Sequence, residues 1–426
     1  MNWPAFCELS PAHPRLPRAF PAGILPGSME DLPAPPPSAS LEAWTLGELR
    51  GLEATNLLRK PRRFQGPQGP TLVENGRVLV NFSSNDYLGL ANHPALIAAA
   101  AEGLARYGLG AGAARLVCGT LAPHAKLEER IAAFKGTEAA LAFSSGYATA
   151  VGVIPALVGS EDVVILDKLC HASLIDGARL SGAALRVFPH NNIEKLRSHL
   201  AWAREKHPAA RVLVVVESIY SMDGDAATLA EIVAGKHAAG AWLMVDEAHA
   251  LGVIGRGGRG LVEQQGLAAE VEVQMGTFSK ALGVSGGYVC GSRALVDLLV
   301  NRARSFIFST APPPALAAAI AAGIDLLDSA EGDLLRQRLW ANIRLLAEAL
   351  PEKIANPQSA ILPWIVGEEA RALELAEALR SRGFLAPAIR YPTVARGQAR
   401  LRFTASAAHE AKEIAALKIA LAELIA

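Results

Sequence analysis

The sequence predicts an α/β protein with a mostly parallel central sheet covered by helices, plus a smaller C-terminal α+β domain. Three observations carry that prediction. Between residues 140 and 276, short continuous apolar runs alternate with helix-like stretches such as ATLAEIVAGKH; strands apolar throughout are buried on both faces, as in a parallel sheet lined by helices. The 426 residues, 51% of them hydrophobic, exceed what one core usually serves. Beyond Pro314 the pattern turns to two long helices, the β-like ILPWIVG, a helix over 370–382, the segment ARLRF and a terminal helix.

The first 40 residues hold ten of the 26 prolines and no hydrophobic period, so disorder is expected there. They have neither the apolar core of a secretory signal nor the amphipathic pattern of a presequence, and Met29 offers an alternative start. Residues 41–60 show helical spacing, and residues 71–81 alternate as a hairpin about Asn75-Gly76. The strand-like runs follow: ALAF (140–143), DVVILD (162–167), ALRVFP (184–189), RVLVVVES (211–218), AWLMVDE (241–247), VEVQMG (271–276) and GYVCG. The expected organisation is an extension over 1–40, a helix and hairpin segment over 41–85, a large domain over 86–314 and a small domain over 315–426.

Composition narrows the function. Lys+Arg (41) equal Asp+Glu (41), which leaves no electrostatic footprint for nucleic acid or an acidic membrane. The apolar run ALAAAIAAGI is too short to span a bilayer. Four scattered cysteines without a CxxC pair argue against a zinc site or disulfide framework and suit a reducing cytoplasm. No metal site is expected.

In an open parallel sheet, ligands bind beyond the carboxyl ends of the strands. Those ends carry Ser144-Ser145-Gly146-Tyr147 after ALAF, His171 after DVVILD, Ser221 after RVLVVVES, Asp246 and His249 after AWLMV, and Thr277 and Lys280 after VEVQMG. Alone, each has a plainer role: a surface turn for the lysine, helix caps for Asp246, Ser144 and Ser145, structural histidines for His171 and His249. On successive strand ends they form the set that pyridoxal 5′-phosphate (PLP) needs. A lysine amine bonds the cofactor aldehyde, a carboxylate keeps the pyridine nitrogen protonated, and a turn opening a helix receives the phosphate. Gly283, Gly286 and Gly287 are expected to let the chain reverse beside the bulky cofactor. A rival dinucleotide fingerprint at Gly108–Ala113 follows a helix-like stretch, whereas that motif needs a preceding strand.

FSSNDYLGL, HASLIDGARLSGA, ESIYSMDGD, VDEAHALGVIGRGGRG and GTFSKALGVSGGYV, in this order, resemble the α-oxoamine synthases, fold-type I PLP-dependent transferases that condense an amino acid with an acyl thioester. The resemblance runs from about Leu41 to the C-terminus. It implies Lys280 as the cofactor lysine, Asp246 at the pyridine nitrogen, His171 stacked on the ring, and Ser221 and His249 near its phenolic oxygen. Gly146, Tyr147 and Thr277 match phosphate positions, and Lys280, His171 and Asp246 are the catalytic set. Arg402 matches the group that grips the amino-acid carboxylate, with Asn85 assisting; Arg59 and Thr393 match substrate-contacting positions. The C-terminal stretch is most similar to the member that joins L-alanine to a pimeloyl thioester, carried by coenzyme A or an acyl-carrier protein. Glycine C-acetyltransferase, 5-aminolevulinate synthase and serine palmitoyltransferase stay open as alternatives, with a non-catalytic relative more remote. A homodimer with shared active sites is implied, the segment IFSTAPPP reaching the neighbouring site. Where relatives often read G-G-S-R, this chain has Gly112-Ala113-Ala114-Arg115.

Overall fold

The computed structural model describes residues 40–425, so the expectations for the first 39 residues lie outside it. The unit that ends at Leu58 contains one helix, Leu41–Ala54, whose first turn is capped by Ser40 accepting from the Ala43 N–H at 3.1 Å. It stops short of the residue 60 that periodicity suggests. Asn56 takes a left-handed φ of 58°, and the Asn56 and Leu57 N–H groups turn back to the Glu53 and Leu52 carbonyls at 3.1 and 2.7 Å, which closes the helix. None of its residues is buried; Trp44, Leu46, Leu49 and Leu52 are exposed.

The unit from Arg59 onward is built on three sheets. The expected hairpin pairs β1 (Thr71–Glu74) with β2 (Arg77–Asn81), and Asn75 and Gly76 both have positive φ, as a two-residue hairpin turn requires. Seven strands form the central sheet: β3 (Ala139–Phe143), β4 (Val163–Asp167), β5 (Ala184–Phe188), β6 (Val212–Glu217), β7 (Trp242–Asp246), β8 (Val273–Thr277) and β9 (Gly287–Gly291). Their order is β3-β9-β8-β7-β6-β4-β5; β9 alone runs opposite to the other six strands.

Strand alternation explains why the apolar runs are unbroken. Val163 and Ile165 of β4, Val212, Val214 and Val216 of β6, and Leu243 and Val245 of β7 enter one hydrophobic cluster. Val164, Leu166, Leu213, Val215 and Met244 enter another on the opposite face. Each such side chain contributes roughly 1.5–3 kcal/mol on burial. The polar residues that follow these strands lie together at the carboxyl end of the sheet.

A third sheet is antiparallel, ordered β10 (Ile361–Gly367), β13 (Ala399–Thr404), β12 (Ala388–Ile389), and β11 (Phe384–Leu385) joins β2 in parallel. The helix Glu369–Ser381 packs on β13, and Ala330–Ala349 packs against the terminal helix Ala411–Ile425. Among the described residues no helix is long and apolar enough to cross a membrane, and no cluster of His, Cys, Asp and Glu could hold a metal ion.

Candidate active site

The crevice is assembled from three adjacent strand ends. Register places Glu217 of β6 beside Asp246 of β7, and Asp246 beside Met275 of β8, two residues before Thr277. Asp246 Oδ1 accepts the Ala248 N–H at 2.9 Å. Burial pushes its carboxyl up to about 6, against the opposing pull of that hydrogen bond and of Lys280. Lys280, three residues beyond β8, is lowered from the ordinary lysine range by burial and by Arg402, and Asp246 and Glu217 resist that shift. Burial thus shifts the lysine in the direction of its neutral, nucleophilic form.

The two histidines flank the lysine. His171 caps the helix Ala172–Ser181: its Nδ1 accepts the Ser173 N–H at 3.2 Å, which assigns the ring proton to Nε2. Burial and then Lys280 lower its affinity for a second proton. His249 is lowered further, by burial and by the charges of Lys280 and Arg402. Its Nδ1 lies 2.6 Å from the Tyr87 hydroxyl, which also donates to Asn85 Oδ1 at 3.3 Å. Burial pushes Tyr87 up to about 12, so this hydroxyl stays protonated.

From β13 the buried Arg402 faces the same crevice. Its Nε donates to the Ser221 carbonyl at 2.7 Å and its Nη2 to Asn85 Oδ1 at 3.1 Å. Arg400, two residues earlier and on the same face of the strand, donates to the Met222 carbonyl at 3.2 Å and to Asp223 Oδ1 at 2.7 Å. Both arginines fasten the segment after β6.

At the other end the helix Gly146–Leu157 begins with Ser145 accepting the Ala148 N–H at 3.0 Å. A Cβ on Gly146 would lie 2.3 Å from Thr277 Cγ2, so only glycine lets this helix approach β8 so closely. The Thr277 hydroxyl is buried without a hydrogen-bond partner among the described residues. An unpartnered hydroxyl beside a helix N-terminus, with its free first-turn N–H groups, suits an anionic group. Tyr147 stands half-exposed there, its hydroxyl on Asp176 Oδ2 at 2.8 Å. The crevice thus offers an anion cradle, a buried carboxyl, an amine and an arginine fork, the fittings for PLP with an amino acid.

Arg59 and Thr393 sit apart from this group. Arg59 Nη2 donates to the Tyr391 carbonyl at 2.7 Å, and the Thr393 N–H turns back to Arg390 at 3.0 Å; both residues are exposed. The glycines after Lys280 also make room for the protein's own backbone. A Cβ on Gly283 would meet Ala91 Cα at 2.5 Å and one on Gly287 would meet the Ser145 carbonyl at 2.6 Å, so protein backbone requires them. Arg115, in the segment that departs from its relatives, is clamped by both oxygens of Glu128 at 2.9 Å. The helix Pro94–Tyr107 runs directly into Gly108, which removes the dinucleotide fingerprint. A cavity of about 960 Å³ between residues 253–257 and the helix Ala330–Ala349 involves none of these residues.

Sequence reading assigned no role to Tyr87, Glu217 or the buried ion pair between Lys135 and Glu247. Tyr87 and Glu217 lie within the quoted motifs NDYLGL and ESIYSMDGD, and their polarity beside apolar runs was the available signal.

The family model described as aminotransferase class I and II matches residues 77–421. The 8-amino-7-oxononanoate synthase of Geobacter sulfurreducens is 49% identical over 381 residues, 89% of this chain and 97% of that protein. A serine palmitoyltransferase variant from S. paucimobilis, solved with a bound PLP–myriocin aldimine, superposes with a TM-score of 0.83 at 31% identity, covering 89% of this chain and 96% of that one. An 8-amino-7-oxononanoate synthase from Francisella tularensis gives 0.69 at 27% identity, covering 82% and 98%.

Proposed function

The chain belongs to the aminotransferase class I and II family, and from that premise we propose that it is a PLP-dependent acyltransferase that condenses L-alanine with a pimeloyl thioester. The products are 8-amino-7-oxononanoate, CO2 and the free thiol of coenzyme A or an acyl-carrier protein. The observation that carries the reading is the meeting of Lys280, Asp246 and Arg402 in one buried crevice beside the Gly146–Thr277 cradle, in a chain with a close relative of that name.

The residues fit PLP, with Thr277, Gly146 and Tyr147 at its phosphate, Asp246 at its ring nitrogen, and Ser221 and His249 near its phenolic oxygen. When bound, PLP supplies an electron sink conjugated to the amino-acid Cα. Lys280 Nζ would be the group that holds the cofactor aldehyde, and as a free amine it would accept the Cα proton of the amino acid. Burial has already brought that amine toward the basicity proton transfer needs. Asp246 keeps the ring nitrogen protonated, a task its buried carboxyl performs best when ionised against that charge. His171 covers the ring, and its Ser173 contact fixes its orientation. Arg402, oriented by Ser221 and Asn85, would grip the L-alanine carboxylate and so fix the orientation of the substrate in the crevice. Arg59 and Thr393 contact the acyl substrate.

A homodimer accounts for the apolar side chains exposed around Leu116, Val117 and Phe308, and the IFSTAPPP segment reaches the neighbouring site. The reaction belongs to the cytoplasm.

The higher TM-score to serine palmitoyltransferase favours a second reading, with L-serine and a palmitoyl thioester. Backbone shape does not set the pocket around Cα, and 49% identity over most of the chain favours alanine. Measuring CO2 release with alanine, glycine and serine against pimeloyl, acetyl, succinyl and palmitoyl thioesters decides the matter. Alanine with the pimeloyl thioester is expected to be fastest; a preference for glycine or serine refutes the assignment.

A further inference from the structure

We propose that Glu217 is a positioning residue whose carboxyl ties the two halves of the crevice together, fixing His171 through its backbone N–H and Arg402 through Ser221. Glu217 ends β6 at 2% exposure, beside Asp246 in the register. Its Oε1 accepts the His171 N–H, and the Ser221 N–H is a nearby polar group that pulls the carboxyl's pKa down. The Ser221 carbonyl in turn receives Arg402 Nε at 2.7 Å. Two hydrogen bonds, bridged by the Ser221 peptide whose N–H interacts with the Glu217 carboxyl, therefore join the imidazole side, on the central sheet, to the carboxylate grip, on the sheet of β13.

A buried carboxyl is costly, and an apolar side chain of similar volume would fill the same space without that cost. Burial and the neighbouring Asp246 hold Glu217 well above the ordinary carboxylate range, and Asp167 adds to the shift. What the carboxyl provides in return is two acceptors for N–H groups that lie outside the sheet ladder. His171 is then held twice, by its backbone on Glu217 and by its ring on Ser173. A shift of the Ser221 peptide is transmitted to both arms of the crevice.

The inference rests on the reading of the crevice as a PLP and amino-acid site, and the two can fail separately. Apo-protein carrying Glu217→Gln or Glu217→Met is titrated with PLP, then with L-alanine, following cofactor absorbance and visible circular dichroism, with Tm measured in parallel. Glu217→Met is expected to raise the L-alanine Kd at least tenfold and to alter the visible dichroism of bound cofactor. Glu217→Gln, which keeps one acceptor oxygen, falls between it and the wild type. In a double-mutant cycle with Arg402→Lys, the Glu217→Gln effect on L-alanine Kd is expected to be non-additive. If Glu217→Met does not fold, Glu217→Gln and the cycle decide alone. Variants with a lowered Tm but wild-type L-alanine Kd and dichroism, or an additive cycle, overturn the proposal. A wild-type protein that fails to bind PLP overturns it together with the underlying reading.

Discussion

At the floor of the crevice Asp246, Thr277, His249 and Arg402 are each only 4–7% exposed, whereas at its rim Arg59 and Thr393 are open to solvent and neighbouring Tyr391 is 40% exposed. The floor stands on strand ends whose apolar residues are sealed on both faces, and its polar groups hold one another through Tyr87, Asn85 and Ser221. At the rim Arg59 donates to the Tyr391 carbonyl in the turn over residues 390–393. On the proposed function the contrast reads as a division of labour. A bond-breaking step needs groups held to a fraction of an ångström, and a long acyl chain needs only a surface to lie along.

The largest effect expected is at the floor. Lys280→Ala should lower turnover by at least ~10³-fold, since it removes both the cofactor bond and the proton acceptor; steady-state CO2 release measures it, and retained turnover breaks the comparison. Arg402→Lys keeps the charge but loses the fork, so the KM for L-alanine should rise ~10–100-fold with the acyl thioester KM little changed. At the rim, Arg59→Ala and Thr393→Ala should change the acyl thioester KM by less than ~10-fold and leave the L-alanine KM untouched. A rim variant that alters alanine binding would erase the distinction.

A further effect, on stability rather than turnover, concerns the anchoring of the loop that carries Ser221. Burial works against a charge on His190, but Asp167 at 3.2 Å and Asp225 at 2.7 Å outweigh it and raise the ring from 6.5 to about 10. A raised histidine stabilises the fold fully below pH 6.5 and loses that contribution as pH climbs through 10. His190→Gln should therefore cost ~2 kcal/mol below pH 6.5, discounted for partial exposure, with the cost fading towards pH 10. Denaturant unfolding of both proteins across that range tests it, and a pH-independent difference contradicts it.

Much of the floor was legible because continuous apolar runs ending in Asp246, Thr277 or Ser221 can be read locally, and parallel topology then brings those ends together. The central sheet followed from the same pattern. Other features depend on contacts that sequence does not encode nearby. Nothing beside Tyr87 announces His249, 162 residues away. Lys135 reads as a favourable last-turn helix cation, yet it is buried against Glu247. The Gly283–Gly287 turn was legible as a tight reversal, and the local sequence carries no sign that it also makes room for the backbone of Ala91 and Ser145. The helix that begins at Leu41 ended early because Asn56 adopts the left-handed conformation that asparagine tolerates well.

The central claim is that Lys280 is the amine that holds PLP. Wild-type protein loaded with PLP is reduced with borohydride, digested and mapped by mass spectrometry. The account predicts a single phosphopyridoxyl group on the peptide containing Lys280 and none in Lys280→Ala. A label on another lysine, or no label in the wild type, would contradict it.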